Sequence, residues 1–230
     1  MKNILPKEEW LVESDASAVA KKSYLIILRA AKEAIEENGV FRIVLAGGTT
    51  PERIYRMLAT AQCDWQKWEI FLGDERCLPE SSPERNSQIA MKAWLNDIEI
   101  PADNVHFIPS ELGADLAAQN YAETIKNKMP FDLVLLGMGE DGHTASLFPG
   151  HMHNEEELVH GVHNAPKPPS DRVSLSTAAL SNSEQVLIII TGAGKKASVK
   201  AWNEGEPLPI AKISAINMLT VILDSDASPA

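Results

Sequence analysis

Residues 41–58 read FRIVLAGGTTPERIYRML, and this stretch combines the signals of a strand, a turn and a helix. The apolar, β-branched run at residues 41–46 predicts a buried strand. Two glycines follow it directly and indicate a tight turn. Pro51 suits the first turn of a helix, and Thr50 is a residue type that caps helix starts. The stretch therefore predicts a strand, a glycine turn and a helix in immediate succession.

The same alternation extends outward in both directions from this stretch. Short β-branched runs recur, and several are apolar at successive positions, as in strands that are covered on both faces. Segments with helical spacing of apolar residues lie between them, and this alternation is typical of an α/β fold with a mainly parallel sheet. Strands are predicted at residues 41–46, 69–72, 131–137, 173–176, 186–191 and 220–223, and helices at residues 15–38, at residues 114–128 and from near Lys195 to before Gly205.

The longest predicted helix, residues 15–38, carries its own start and stop signals. Ser14 or Asp15 can cap its start, and Gly39 follows its end. No linker and no internal repeat divides the chain. We therefore predict one domain over residues 1–230.

The composition is that of a globular protein with a well-sized core. The chain has 230 residues, of which 44% are hydrophobic and 23% are charged, so disordered and fibrous classes are excluded. Its 21 basic and 32 acidic residues give a formal net charge of −11. Such a surface repels nucleic acid and anionic membranes, so we expect neither as a partner. An anionic small molecule remains compatible, because a local cationic pocket can lie in an acidic field.

Cysteine content and apolar run lengths predict a cytoplasmic protein. Cys63 and Cys77 are the two cysteines, and no CxxC or Cys/His spacing indicates structural zinc. The start MKNILPKEEW lacks the apolar run of a signal peptide. The apolar run at residues 186–190 is too short to cross a bilayer. The sequence leaves the oligomeric state open and is compatible with a monomer.

Chemistry is expected in the loops at the carboxyl ends of parallel strands. The loop after the first strand offers Gly47, Gly48, Thr49 and Thr50, and its exposed amides at a helix start can bind an anion. Phosphate binding and a tight turn that simply requires glycine are both compatible with this loop.

Charged residues follow the strand predicted at residues 69–72. Asp74, Glu75 and Arg76 end this buried run. They fit either a cluster in an active site or a group of surface ion pairs, which are common. This loop alone does not distinguish the two.

The loop after the strand at residues 131–137 continues the sequence GMGEDGHTASLFP. Its three glycines within six positions indicate a strained or closely packed backbone. His143 lies two residues after Asp141, and a histidine beside a carboxylate can act as a general base near neutral pH. A capping aspartate with a structural histidine is the alternative. We favour the catalytic interpretation, because acid, base and glycines coincide at the end of a strand.

Two further cations flank predicted strands. Arg172 enters the strand at residues 173–176, and Lys195 follows the glycine turn TGAG. An arginine can grip an anion with two hydrogen bonds, and a lysine can meet it as a point charge. Both also fit ordinary surface residues, and Lys196 competes with Lys195 for the same role.

A histidine-rich stretch contains His151, His153, His160 and His163 beside the acidic residues 155–157. It has no HExxH or other metal-ligand spacing. We therefore predict a variable surface loop and no metal site there.

Together these loops resemble those of the 6-phosphogluconolactonases, which belong to a larger group that includes the glucosamine-6-phosphate deaminases. The similar motifs extend from Leu45 to Lys196 in the family's order, and GMGEDGHTASLFP is very specific. The motifs are LAGGTTP, FLGDERCLP with SPERNSQIA, LLGMGEDGHTASLFPG, APKPPSDRVSLS and TGAGKK.

The resemblance implies a Rossmann-like sheet without a nucleotide, and a site that uses no metal and no cofactor. It implies hydrolysis of 6-phosphoglucono-1,5-lactone to 6-phosphogluconate in the oxidative pentose phosphate pathway. His143 is the implied general base, Asp141 orients or stabilises its ring, and Arg76 or a loop amide stabilises the oxyanion. The expected substrate and phosphate contacts are Gly47, Gly48, Thr49, Thr50, Asp74, Arg172 and Lys195.

A glucosamine-6-phosphate deaminase is the nearest alternative, because it shares GGTP, the Asp-Glu pair and GxGxDGH. Two departures speak against it. Arg76 stands where the deaminases have an aromatic residue, and Phe148 stands where they have a glutamate of the ring-opening machinery. A non-catalytic sugar-phosphate sensor is the second alternative, but such a regulator needs a DNA-binding helix-turn-helix. The first 40 residues offer only a short lead and one long helix.

Overall fold

The computed structural model describes residues 7–154 and 156–229, and a seven-stranded sheet forms its centre. All neighbouring strands of this sheet run parallel. The prediction of a mainly parallel α/β fold is confirmed. The spatial order of the strands is β1 (Lys7–Glu13), β10 (Met218–Asp224), β9 (Ser183–Ile190), β6 (Phe131–Gly137), β2 (Phe41–Leu45), β3 (Trp68–Leu72) and β5 (Val105–His106).

A second, smaller sheet is antiparallel and was not expected. It consists of β4 (Asp74–Arg76), β8 (Arg172–Leu175) and β7 (Val159–Val162) in the order β4-β8-β7. The strand predicted at residues 173–176 exists as β8, but it pairs in this sheet and not in the main one. A single residue, Gly73, separates the end of β3 from the start of β4, the partner of β8, so the chain leaves the main sheet at Gly73.

Six α-helices occur in the described part of the chain. They are α1 (Ala16–Asn38), α2 (Thr49–Leu58), α3 (Asn86–Ala93), α4 (Ala114–Ile125), α5 (Thr177–Ser181) and α6 (Lys196–Asn203). None of these helices is long and apolar enough to span a membrane.

The helix ends follow their local chemistry. The Asp15 carboxylate accepts hydrogen bonds from the backbone N–H groups of Ser17 and Ala18 at 2.8 and 2.9 Å, so Asp15 is the cap of α1. Gly39 ends that helix with φ of 78°. The prediction that Thr50 caps α2 is wrong. The cap is Gly48, whose φ of 111° is accessible to glycine, and the helix begins one residue later.

Buried apolar side chains cover both faces of the main sheet. In β6 every residue from Phe131 to Leu136 is buried, as expected for a central parallel strand. Helix α1 buries Ile27, Ala31 and Ala34 of its predicted apolar stripe. Most of the buried apolar side chains of the described residues form one core cluster. The predicted single domain also includes residues 1–6, 155 and 230, which lie outside the described residues.

The strand order places a topological switch between β2 and β6. The chain proceeds from β2 to β3 and β5 on one side, and then returns to β6 on the other side and continues to β9 and β10. The connections that leave β2 and β6 therefore diverge. A crevice opens between the carboxyl ends of these strands, and ligands of open α/β sheets bind in such crevices.

Candidate active site

A cleft of about 300 Å³ opens at this switch point. Its walls come from the loops after β2, β3, β6 and β9, together with the chain that leads into β8. The polar and glycine residues that line it are Gly47, Gly48, Gly73, Asp74, Arg76, Asn86, Gly137, Gly139, His143, Lys167, Arg172 and Lys195.

His143 and Asp141 form a hydrogen-bonded pair at this cleft. The ring Nδ1 of His143 bonds to Oδ1 of Asp141. Because an ionised carboxylate only accepts hydrogen bonds, Nδ1 carries the proton and Nε2 is the basic nitrogen. The His143 side chain is 17% exposed and lines the cleft, and Asp141 lies behind it. The Phe148 ring packs against the imidazole with centroids 4.7 Å apart.

The environment keeps His143 neutral and Asp141 ionised. Burial lowers the pKa of His143 below its ordinary value, Asp141 opposes this shift, and the charge of Lys167 adds to it. Burial alone raises the pKa of Asp141, but the hydrogen bonds from the ring and the backbone N–H of His143 outweigh burial and lower it. A neutral imidazole that faces a cleft and is oriented by a carboxylate is equipped to take a proton from water.

Gly139 is required for this pair to form. A Cβ at this position would lie 2.0 Å from Nδ1 of His143 and 2.6 Å from Oδ1 of Asp141. The Gly139 amide donates to the His143 carbonyl at 2.8 Å, and the Gly142 amide donates to the Gly139 carbonyl at 3.1 Å. Gly142 has φ of 78°. The glycines of this motif thus allow a tight loop that brings acid and base together.

Four cationic side chains line the cleft: Arg76, Lys167, Arg172 and Lys195. Arg76 and Arg172 are cross-strand partners in the β4–β8 pair. Burial lowers the pKa of Lys195, the charge of Glu140 opposes this shift, and the charge of Lys167 adds to it. Lys196 is exposed and does not line the cleft. In a chain with net charge −11, this concentration of positive charge is suited to an anion.

Asp74 lines the cleft and accepts hydrogen bonds from side chains of two other sequence motifs. Its Oδ2 accepts a hydrogen bond from the Ser146 hydroxyl at 2.6 Å, and its Oδ1 accepts one from the Asn86 amide at 3.0 Å. Ser146 also donates its backbone N–H to the Ser174 hydroxyl at 3.2 Å. The buried Asp74 carboxylate is therefore oriented directly by two other parts of the chain, and Ser174 acts through Ser146.

Glu75 has a structural position, away from the cleft. Its carboxylate accepts the backbone N–H groups of Asn86 and Ser87 at 2.7 and 2.8 Å, at the start of α3. Arg85 pairs with it at 3.5 Å, and both side chains are buried. The interpretation of this charged loop as a cluster in the cleft thus fits Asp74 and Arg76. The ion-pair interpretation fits Glu75, but its pair with Arg85 is buried and not on the surface.

The loop after β2 presents backbone to the cleft. Gly47 lies against Asn86, since a Cβ at position 47 would be 2.1 Å from Oδ1 of Asn86. Thr49 is exposed in the first turn of α2. The Thr50 hydroxyl bonds to the Thr191 hydroxyl at 2.7 Å and so ties α2 to the loop after β9. The side chains of both threonines lie outside the cleft lining.

The histidine-rich stretch is partly internal. His160 lies in β7 with 4% of its surface exposed, and its ring stacks on that of His153 at 4.4 Å. The prediction of a surface loop is therefore wrong for His160, because β7 packs it into the small sheet. Residue 155 of this stretch lies outside the described residues. Among the described residues, no group of three or more His, Cys, Asp or Glu side chains is arranged to hold a metal ion.

Three residues of the site were not predicted from the sequence: Asn86, Ser146 and Lys167. Ser146 lies inside the GHTAS motif, and Lys167 lies five positions before Arg172, so both were close to residues already singled out. Asn86 had no signal beyond its place in SPERNSQIA, because its role depends on the contact of α3 with β4.

Comparisons with known proteins agree with this geometry. A family model described as "Glucosamine-6-phosphate isomerases/6-phosphogluconolactonase" matches residues 14–222. A 6-phosphogluconolactonase of Mycobacterium leprae is 36% identical over 205 residues, which cover 81% of this chain and 83% of that protein. A chloroplastic 6-phosphogluconolactonase 3 of Arabidopsis thaliana is 32% identical over 214 residues, which cover 84% of this chain. The chain spans 66% of that plant relative's length.

The architecture also matches a solved structure. The crystal structure of 6-phosphogluconolactonase from Thermotoga maritima superposes with a TM-score of 0.89 at 29% identity. The superposition covers 95% of this chain and 100% of the other. On its sequence and its fold, this chain belongs to the glucosamine-6-phosphate isomerase/6-phosphogluconolactonase family.

Proposed function

We infer that this chain hydrolyses 6-phosphoglucono-1,5-lactone to 6-phosphogluconate. The observation that carries the inference is the presence of the His143–Asp141 pair and four cations in one cleft. The substrate is an uncharged cyclic ester that bears a phosphate, so it needs a base for water and a cationic anchor. Relatives named 6-phosphogluconolactonase support the same reaction.

Binding begins with the phosphate. The anion is held by the backbone of the loop at residues 47–50, by the cationic segment that leads into Arg172, and by Lys195. Thr49 and Thr50 contribute through their backbone at the start of α2. Binding energy gained at the phosphate then orients C1 of the lactone against His143. Asp74 is placed to accept hydrogen bonds from the sugar hydroxyls.

His143 acts first as a base and then as an acid. Its Nε2 takes a proton from water while the water oxygen attacks C1. Negative charge develops on the C1 oxygen, where Arg76 or a loop amide stabilises it. The bond from C1 to the ring oxygen then breaks, and the leaving oxygen takes the proton from His143. One water is consumed, and a carboxyl and a hydroxyl group form.

The deaminase alternative has less support from this cleft. Phe148 occupies the position of the deaminase glutamate and packs its apolar ring against His143. Arg76, which lines the cleft, occupies the position of the deaminase aromatic residue. A sensor domain only binds its ligand, and binding alone does not require an oriented, neutral base.

The proposal is tested by lactone hydrolysis above the spontaneous rate. Glucose-6-phosphate dehydrogenase generates the lactone in place, and ammonia release from glucosamine 6-phosphate is measured in parallel. Accelerated lactone opening without ammonia is the expected result. Ammonia release would favour the deaminase, and binding of 6-phosphogluconate without turnover would favour the sensor.

We further propose a cytoplasmic location and a single domain over residues 1–230. Two free cysteines and one core cluster support these proposals, although the Arabidopsis relative is chloroplastic. Cell fractionation tests the location. A single unfolding transition in denaturant tests the domain count.

A further inference from the structure

The guanidinium of Arg172 is largely occupied by the protein itself. Its Nε donates to the Pro169 carbonyl at 3.2 Å, and its Nη2 donates to the carbonyls of Lys167 and Pro168 at 3.1 and 2.9 Å. The edge formed by Nε and Nη2 is one that arginine uses for two-pronged binding of an oxyanion. That edge is turned toward a neighbouring backbone segment, so the expected bidentate grip of Arg172 on a phosphate is not available there.

The backbone segment held by Arg172 carries another cation into the cleft. Its turn is closed by a hydrogen bond from the Ala165 amide to the Ser170 carbonyl at 2.9 Å. The Lys167 side chain projects from this turn and lines the cleft, as Lys195 does. In the described part of the chain, ion pairs engage five other lysines but neither Lys167 nor Lys195.

The surroundings of Arg172 are those of a structural residue. The residue is 7% exposed, and its guanidinium carbon lies 5.6 Å from the centre of the Phe148 ring. Lys167, by contrast, is exposed at the cleft and close enough to lower the pKa of both His143 and Lys195. The charges of Lys167 and Lys195, which line the same cleft, repel each other, and a phosphate dianion bound between them reduces this repulsion.

We propose that Lys167 binds the substrate phosphate directly and that Arg172 is a positioning residue that holds Lys167 in the cleft. The proposal rests on the lactonase function inferred above and refines its phosphate site. The chain thus uses two point charges, Lys167 and Lys195, to meet the anion, and it uses the planar guanidinium of Arg172 to fix the turn that supplies one of them.

The test compares Lys167→Met, Arg172→Gln and the double variant with the control Lys200→Met, which removes a charge from an exposed part of α6. Each protein is assayed with 6-phosphoglucono-1,5-lactone and with unphosphorylated glucono-1,5-lactone. We expect Lys167→Met to lose about tenfold to a hundredfold in kcat/KM on the phosphorylated lactone alone. The control should match the wild type, and Lys167→Arg should recover part of the loss.

Arg172→Gln should show the same selective loss. The kcat/KM of the double variant should be no lower than that of the less active single variant, because Lys167 and Arg172 act through one contact. Equal losses on both lactones in Lys167→Met, or no loss, would overturn the phosphate contact. Additive losses in the double variant would overturn the positioning role. If Arg172→Gln does not fold, Arg172→Lys takes its place in the cycle.

Calorimetric titration separates this proposal from the proposed function. Inorganic phosphate and 6-phosphogluconate should bind more weakly to Lys167→Met than to the wild type, whereas gluconate should not distinguish the two. A wild type that opens no lactone contradicts the proposed function alone. Unchanged phosphate and 6-phosphogluconate affinity in Lys167→Met contradicts the proposal about Lys167, whatever the wild type hydrolyses.

Discussion

Arg76 and Arg172 lie directly opposite each other in the antiparallel pair β4–β8, and both line the cleft. Like charges at directly paired positions destabilise a sheet. Burial lowers the pKa of Arg172, the charge of Asp74 opposes this shift, and the charge of Arg76 adds to it. An anion in the cleft relieves the remaining repulsion. The small sheet thus concentrates charge that a negative ligand or transition state can use.

Arg76→Met is expected to lower kcat about 10²- to 10³-fold, because Arg76 is the proposed oxyanion donor. The loss should be equal for phosphorylated and unphosphorylated lactones, unlike that of Lys167→Met. The melting temperature should remain near that of the wild type, since relief of repulsion offsets the lost bond from Nη1 to the Glu84 carbonyl. A loss confined to the phosphorylated lactone would assign Arg76 to the phosphate and leave the oxyanion to a loop amide.

His143→Ala is expected to lower kcat about 10²- to 10⁴-fold, the range of general base catalysis. The melting temperature should change little, because the imidazole is partly exposed at the cleft. His151→Ala is a matched control, since His151 is near in sequence but outside the cleft lining. A rate close to that of the wild type in His143→Ala would refute the role of the base.

Asp141→Asn is expected to shift the pH profile as well as to lower kcat. Activity requires neutral His143 and is lost as the pH falls through the pKa of that imidazole. Asp141 raises this pKa against the lowering by burial. The acidic limb of kcat/KM should therefore move to lower pH in Asp141→Asn. A shift of that limb to higher pH would contradict the pairing seen in the structure.

Gly139→Ala is expected to impair the enzyme about as much as His143→Ala. The added Cβ would overlap Nδ1 of His143 and Oδ1 of Asp141, so the pair must separate. Because both changes remove one functional unit, the double variant Gly139→Ala/His143→Ala should be no slower than His143→Ala. Full activity in Gly139→Ala would show that the pair is dispensable. Steady-state kinetics on folded proteins decides between these outcomes.

The fold class and most of the cleft follow from local patterns in the sequence. Apolar periodicity is a local property, so six of the described strands, the Asp15 cap of α1 and its end at Gly39 were readable without any partner. The strands β1, β4, β5 and β7 were not predicted. Because ligands of open α/β sheets bind at the carboxyl ends of the strands, the site was predicted in the loops that contain Gly47, Asp74, His143 and Lys195. All four of these residues line the cleft.

Long-range packing determines which side chains of those loops face the cleft and which support it. Asp74 meets Ser146 across 72 positions, and Thr50 meets Thr191 across 141. Such contacts depend on how whole strands and helices pack, which no local pattern encodes. The same holds for Arg172, whose sequence neighbours gave no sign that its guanidinium binds the backbone that carries Lys167. Local sequence thus set the elements and their motifs, and long-range packing assigned each side chain its direction.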